Sequence, residues 1–179
     1  MVDKAMEFAT KAHEGQFRKG TKRPYIIHPI TVADIVMTMT WDEEVICAAL
    51  LHDTIEDCPE VTEEVIRAEF GERVASLVKV ESEDKSKTWE ERKGATIRRL
   101  EHAPRDVQMI ALADKLANMR DIDREYPFYG EKFWSRFRMQ NKMVIGWYYQ
   151  SIRDALAPTF WGVDAFSEYC YLVEKNFGK

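Results

Sequence analysis

Cysteine is scarce in this sequence and badly placed for cysteine chemistry. The three residues, Cys47, Cys58 and Cys170, are an odd number at wide spacings with no CxxC pair. That excludes a disulfide framework and a thiolate zinc site, and it fits a reducing, cytoplasmic setting. Only 8 glycines and 6 prolines punctuate 179 residues, too few for a turn-rich β protein. The longest wholly apolar run, Val45 to Leu51, is far short of a membrane span. The N-terminus carries Asp3 and Glu7 among its apolar residues and does not read as a signal peptide. Positive charge is also in deficit: 26 Lys and Arg face 31 Asp and Glu, for a net charge of -5. A chain of that balance makes a poor ligand for long nucleic acid, which rewards a broad basic face. No internal repeat or low-complexity tract is present.

What is there is a helical period almost throughout. With 45% hydrophobic and 32% charged residues the balance is globular, and the length suits one core. Val2, Ala5, Met6, Ala9 and Ala12 form one stripe of a first helix over 2–14. Pro29 predicts a helix from about His28 to Thr38. Asp42 reads as the N-cap of a helix continuing to about Asp57, stopped by Pro59. Thr62 and Gly71 bracket a short helix, and another follows over 72–80. Polar residues 81–88 read as a loop. Further helices are expected over 89–101, from Pro104 to about Ile122, over 133–156, and over 164–176, with Pro127 and Gly130 in a loop and a break at Pro158 and Gly162. The expected architecture is all-α, a bundle of about eight or more helices. A domain over 1–157 would carry a helical extension over 158–179, packed on it or at an oligomer contact of a monomer or homodimer.

Polar residues interrupt the apolar faces at three places. In Ala48-Ala49-Leu50-Leu51-His52-Asp53-Thr54-Ile55-Glu56-Asp57 an apolar run meets one histidine and three acids within six residues. Buried without partners, such carboxylates would cost roughly several kcal/mol each. Either they reach solvent at a helix end or they face a cation. Asp114 shares a helix face with Ile110, Ala113 and Ala117, with Asn118 one turn on. There an aspartate calls for a metal or an arginine. His28, at a helix mouth, acquires meaning only in company. His28, His52, Asp53 and Asp114 together form an imidazole–carboxylate set that suits Mn²⁺, Fe²⁺ or Zn²⁺ better than Ca²⁺, with coordination positions left for water and substrate. His13 and His102 read as surface or capping residues, and Cys58 as a packed thiol. Arg18, Lys19, Lys22 and Arg23 make the one dense cationic cluster, either a solvated loop or a grip for phosphate.

Longer strings narrow this further. The order His, His-Asp, Asp is that of the HD superfamily of metal-dependent phosphohydrolases. KAHEGQFRKGTKRPYIIHP (11–29), AALLHDTIED (48–57), FGERVASLV (70–78), SEDKSKTWEERK (82–93) and ALADKLANMRD (111–121) resemble the hydrolase domain of RelA/SpoT-type alarmone enzymes. The resemblance covers about residues 3 to 156. It implies a small alarmone hydrolase with one Mn²⁺ per chain, acting on a small nucleotide, while charge and hydropathy lead us to expect no membrane or long nucleic-acid partner. The expected reaction removes the 3′-diphosphate of ppGpp or pppGpp. The family's metal ligands fall on His28, His52, Asp53 and Asp114, and its catalytic acids on Glu56 and Asp57. Its substrate contacts fall on Arg18, Lys19, Tyr25, Lys85, Asn118 and Arg138, with Lys142 and Trp147-Tyr148-Tyr149 near the pocket's closing edge. Cys58 stands where the family often has threonine. The segment after Pro158 lies outside the resemblance. Another nucleotide, such as an adenosine alarmone or NADPH, and a non-catalytic alarmone-binding module are the competing readings.

Overall fold

Helix formation follows the apolar stripes, and side-chain caps set several of the starts. The computed structural model describes residues 1–81 and 86–178. The elements are α1 (Val2–Ala12), α2 (Ile27–Met37), α3 (Glu43–Leu51), α4 (Thr54–Asp57), α5 (Glu63–Phe70), α6 (Glu72–Glu81), α7 (Trp89–Leu100), α8 (Arg105–Tyr129), a 3₁₀ segment (Gly130–Arg136), α9 (Lys142–Phe160) and α10 (Asp164–Phe177). Asp42 caps α3 by accepting from the Glu44 amide at 3.0 Å. Thr88 and Glu91 close a capping box on α7. Among the described residues no strand forms. Phe17 and Pro24 make an isolated antiparallel bridge that folds the cationic cluster into a tight hairpin, with Gly20 at φ 72° in its tip.

The long helix α8 is the axis of the bundle. Its residues Val107 to Asp114 are buried in unbroken succession, and α2, α3, α6, α9 and α10 all pack against it. A helix surrounded in this way has no solvent face along that stretch, so a polar residue within it must meet its partners inside the protein. The C-terminal helix α10 lies on α8 and α9. Tyr169, fully buried, donates its hydroxyl to the Tyr149 carbonyl at 2.9 Å.

Four expectations differ from the structure in informative ways. The helix predicted from 43 to 57 is interrupted at His52 and Asp53. There the Thr54 hydroxyl donates to the Leu51 carbonyl at 2.7 Å, and His52 Nδ1 lies 2.8 Å from the Ala49 carbonyl oxygen. Side chains thus compete for carbonyls that helical amides would use. Helix α8 runs seven residues past Ile122, through Pro127 to Tyr129. Ion pairs from Asp121 and Glu125 to Arg18, Arg23 and Arg136, and packing of Tyr126 on Trp134, hold this last stretch. They outweigh the amide lost at a proline so near a helix end. The helix predicted over 133–156 starts only at Lys142, because the Asn141 side chain caps it by accepting from the Met143 amide at 2.9 Å. Its other end passes Pro158 and stops at Phe160.

Burial assigns the energetic weights. Tyr169→Phe should cost about 1 kcal/mol by removing the hydroxyl's bond to the Tyr149 carbonyl, and Tyr169→Ala about 3–5 kcal/mol. Trp161→Ala, at a site 83% exposed, should stay within about 0.5 kcal/mol of the parent. Urea unfolding of the three variants checks the ranking.

Candidate functional site

Three helix termini and the middle of α8 converge on one point. His28 sits in the first turn of α2, His52 caps the C-terminus of α3, Asp53 precedes α4, and Asp114 projects from the buried stretch of α8. His28, His52 and Asp114 are buried, and each offers a ligand atom within 4.8 Å of the others. His28 Nε2 is 3.1 Å from Asp114 Oδ1 and 3.7 Å from Asp53 Oδ2. His52 Nε2 is 3.1 Å from Asp53 Oδ2 and 3.9 Å from Asp114 Oδ1.

The donor set fits a divalent metal. A carbonyl oxygen facing His52 Nδ1 requires the hydrogen on that nitrogen, which leaves the Nε2 lone pair directed at the carboxylates in the neutral ring. His52 Nε2 is buried and has no hydrogen-bond partner among the described residues. Electrostatics point the same way. Burial disfavours an imidazolium at His52, yet Asp53 and Asp114 push its pKa up to about 9. Burial likewise opposes the charged form of both carboxylates. Nevertheless, when His52 is protonated, its imidazolium holds Asp53 well below the usual carboxylate range, and Lys115, then His28, do the same for Asp114. The pocket calls for positive charge at its centre, and a divalent cation among two imidazoles and two carboxylates answers that call.

A supporting layer fixes the carboxylates. Tyr25 donates its hydroxyl to Asp53 Oδ2 at 2.6 Å and reaches Asp57 Oδ2 at 3.5 Å. Burial, then the neighbouring Asp53, raises the phenol's pKa far above its ordinary value, so the group remains a donor. Asn118 donates to Asp114 Oδ1 at 2.7 Å and accepts from Arg18 at 2.8 Å, while Lys115 pairs with the other Asp114 oxygen. Arg18 also donates to Asp121 at 2.9 Å, and Arg23 from the far strand of the hairpin reaches the same carboxylate. Asp121 therefore ties the cationic hairpin to α8. His13, expected near the surface, is instead buried at the C-cap of α1. Its ring lies 4.8 Å from that of Tyr25, and its Nδ1 is 2.8 Å from Gln16 Oε1. Gln16 in turn donates to the Asp57 carbonyl at 3.0 Å. Cys58 is buried as a packed thiol, while His102 is exposed.

The cluster opens into a cleft of about 500 Å³. Arg18, Lys19, Tyr25, Glu56, Asp57, Asn118 and Arg138 all line it, together with His28, His52, Asp53 and Asp114. Lys85 lies outside the described residues. Sequence reasoning assigns no role to Trp89, Arg92, Lys93, Lys115 and Arg136, which also line it. The first three fall in or beside a string that carries the resemblance, but nothing in a helical period reveals which face of α7 meets a cleft. Lys115 follows Asp114 directly, and adjacent helix positions ordinarily diverge. Here its ammonium turns back onto Asp114 and lies 5.9 Å from the Tyr148 ring centre. Of the Trp147-Tyr148-Tyr149 string, the two tyrosines line the cleft, whereas Trp147 is exposed. Lys142 stands apart, bonded to the Tyr126 hydroxyl at 3.3 Å. Among the described lining residues seven are Lys or Arg and six are Asp or Glu. In a chain of net charge -5 that is a local inversion of sign, before any cation is counted.

Comparison with known proteins places the chain in a family. Residues 5–131 match the HD domain family. The chain is 38% identical over 143 residues to the guanosine-3′,5′-bis(diphosphate) 3′-pyrophosphohydrolase MESH1 of Xenopus tropicalis, covering 78% of this chain and 77% of that protein. It is 39% identical over 139 residues to the human protein of the same name, covering 76% and 75%. Against the guanosine-3′,5′-bis(diphosphate) 3′-pyrophosphohydrolase of Haemophilus influenzae it is 45% identical over 120 residues, 64% of this chain and 17% of that longer protein. A solved structure described as a metazoan ortholog of SpoT that hydrolyzes ppGpp superposes with a TM-score of 0.84 at 27% identity, covering 99% of this chain and 96% of the other. The chain belongs to the HD domain family and, within it, to the group of small proteins that includes the MESH1 pyrophosphohydrolases.

Proposed function

We propose that the protein is a Mn²⁺-dependent pyrophosphohydrolase that converts ppGpp and pppGpp to GDP and GTP with release of pyrophosphate. The observation that carries this reading is a buried imidazole–carboxylate cluster at the floor of a cleft lined by seven cationic side chains. Such a combination suits a small, heavily phosphorylated substrate. Similarity to proteins named for this activity supports the choice of guanosine alarmone.

In this reading His28, His52, Asp53 and Asp114 are the metal ligands. When bound, the metal supplies an acidified water and positive charge beside the phosphate oxygens. Glu56, on α4 next to the ligand pair and lining the cleft, takes a proton from the water that attacks phosphorus. As the bond from phosphorus to O3′ breaks, O3′ must gain a proton, and Asp57 relays one through water. Tyr25 keeps Asp53 oriented through its 2.6 Å hydrogen bond. Arg18, Lys19 and Lys85 balance the charge of the diphosphate, and Asn118 and Arg138 border the nucleoside. Arg18 is held by Asp121 and Asn118 before substrate arrives, so little side-chain entropy remains to be lost on binding.

A panel of ppGpp, pppGpp, pppApp and NADPH with added Mn²⁺ tests the substrate. The guanosine alarmones should release pyrophosphate fastest, and orthophosphate from NADPH as the dominant product would overturn the assignment. Asp53→Ala should abolish Mn²⁺ retention and turnover together. Glu56→Gln should retain Mn²⁺, measured by elemental analysis, and lose about 100- to 10,000-fold in kcat. Full turnover by a clean Glu56→Gln preparation would remove Glu56 from the proton-transfer role.

A further inference from the structure

The wall of the cleft away from the metal-ligand cluster is aromatic and aliphatic, formed by Trp134 and Phe137 around the 3₁₀ segment and by Ile145 and Tyr149 of α9. Part of what holds this wall comes from outside the matched residues 5–131. Phe177, the last residue of α10, does not line the cleft but stands behind it. Its ring stacks on Tyr149 at 5.7 Å with an interplanar angle of 11° and lies 5.8 Å from Trp134. The stack is possible because position 146, one turn before Gln150, is glycine. A Cβ there would come within 3.0 Å of the Phe177 ring. This accounts for a glycine in the interior of α9 that helix propensity alone disfavours. The end of α10 is fastened on both sides. Gln150 donates to the Phe177 carbonyl at 3.2 Å, and Lys175 and Asn176 reach Asp123 of α8 at 2.8 and 3.1 Å. Trp134 is buried, and its indole N–H has no acceptor among the described residues. Its orientation therefore depends on packing, to which Phe177 contributes one face.

We propose that Phe177 is a positioning residue: by wedging between Tyr149 and Trp134 it fixes the aromatic wall of the cleft, so that the C-terminal helix sets affinity for the nucleoside part of the substrate. The inference rests on the nucleotide reading of the cleft. The ring contacts of Phe177 run to Tyr149 and Trp134, neither of them a ligand in the proposed metal cluster, and the cluster is reached from Tyr149 through Tyr148 and Lys115. Its role is therefore binding of ground state and transition state alike. Loss of such an interaction raises KM and leaves kcat in place.

The test compares Phe177→Ala with Leu172→Ala, a truncation of a buried α10 residue that does not line the cleft. Phe177→Ala should raise KM for ppGpp about tenfold, with kcat within about twofold and Mn²⁺ per chain unchanged. Leu172→Ala should lower the melting temperature without moving KM. The near-UV circular dichroism of Phe177→Ala should also differ from the parent, and the tryptophan band of that difference should vanish in a Trp134→Phe background. If Phe177→Ala is recovered unfolded, Phe177→Leu carries the same comparison with a KM rise of about threefold. A KM within twofold of the parent for Phe177→Ala, or equal KM rises in Phe177→Ala and Leu172→Ala, would overturn the proposal. Absence of ppGpp turnover by the parent protein would instead count against the substrate reading. The Trp134-dependent signature would then still decide whether Phe177 fixes the wall.

Discussion

Two carboxylates and two imidazoles are gathered at the buried centre of an apolar helical bundle, and much of the structure is arranged around their charge. Asp114 lies within a helix surrounded by other helices and only its tip reaches the cleft, so water can do little to satisfy it. Its oxygens are instead met by Asn118, Lys115 and His28. Asp53 is met by Tyr25 and His52. Burying charge at this density opposes folding unless nearly every group is paired. The partners are accordingly drawn from several helices and a loop, and the bundle closes around the point where they meet.

The same constraint explains the hairpin and the long reach of α8. Asp121 ties Arg18 and Arg23 of the hairpin to α8. Continuing past Ile122 to Tyr129 adds Glu125, which reaches Arg23 and pairs with Arg136. The result is a shell of cations held by acids around a core of acids held by imidazoles. Alternation of sign keeps a strongly charged cleft compact, with the cationic side chains lining it beside the acids. His13 and Gln16 add a further layer behind the acids, joining α1 to α4 through Tyr25 and the Asp57 carbonyl.

Much of this is legible in the chain. Apolar stripes mark the helices, Asp42 and Thr62 mark two starts, and the polar residues at 28, 52, 53 and 114 stand out because they interrupt those stripes. The structure brings these four together. The features that escape a reading of the chain do so for specific reasons. Asn141 is an ordinary cap, but the aromatic residues before it continue the helical period and hide the start. Pro127 resembles a breaker because the ion pairs that sustain its helix come from residues about 100 positions away. His13 resembles a surface residue because nothing local announces that Tyr25 and Gln16 will fold over it.

The sequence by itself determined the all-α class, the polar interruptions and the identity of the groups available for chemistry, since these follow from local period and side-chain type. Only the tertiary structure decided which cations face the cleft, how the helix break at His52 and Asp53 aims their side chains, and that Phe177 braces the wall. Those depend on contacts between residues far apart in the chain, where helix rotation and approach, not local preference, select the neighbours.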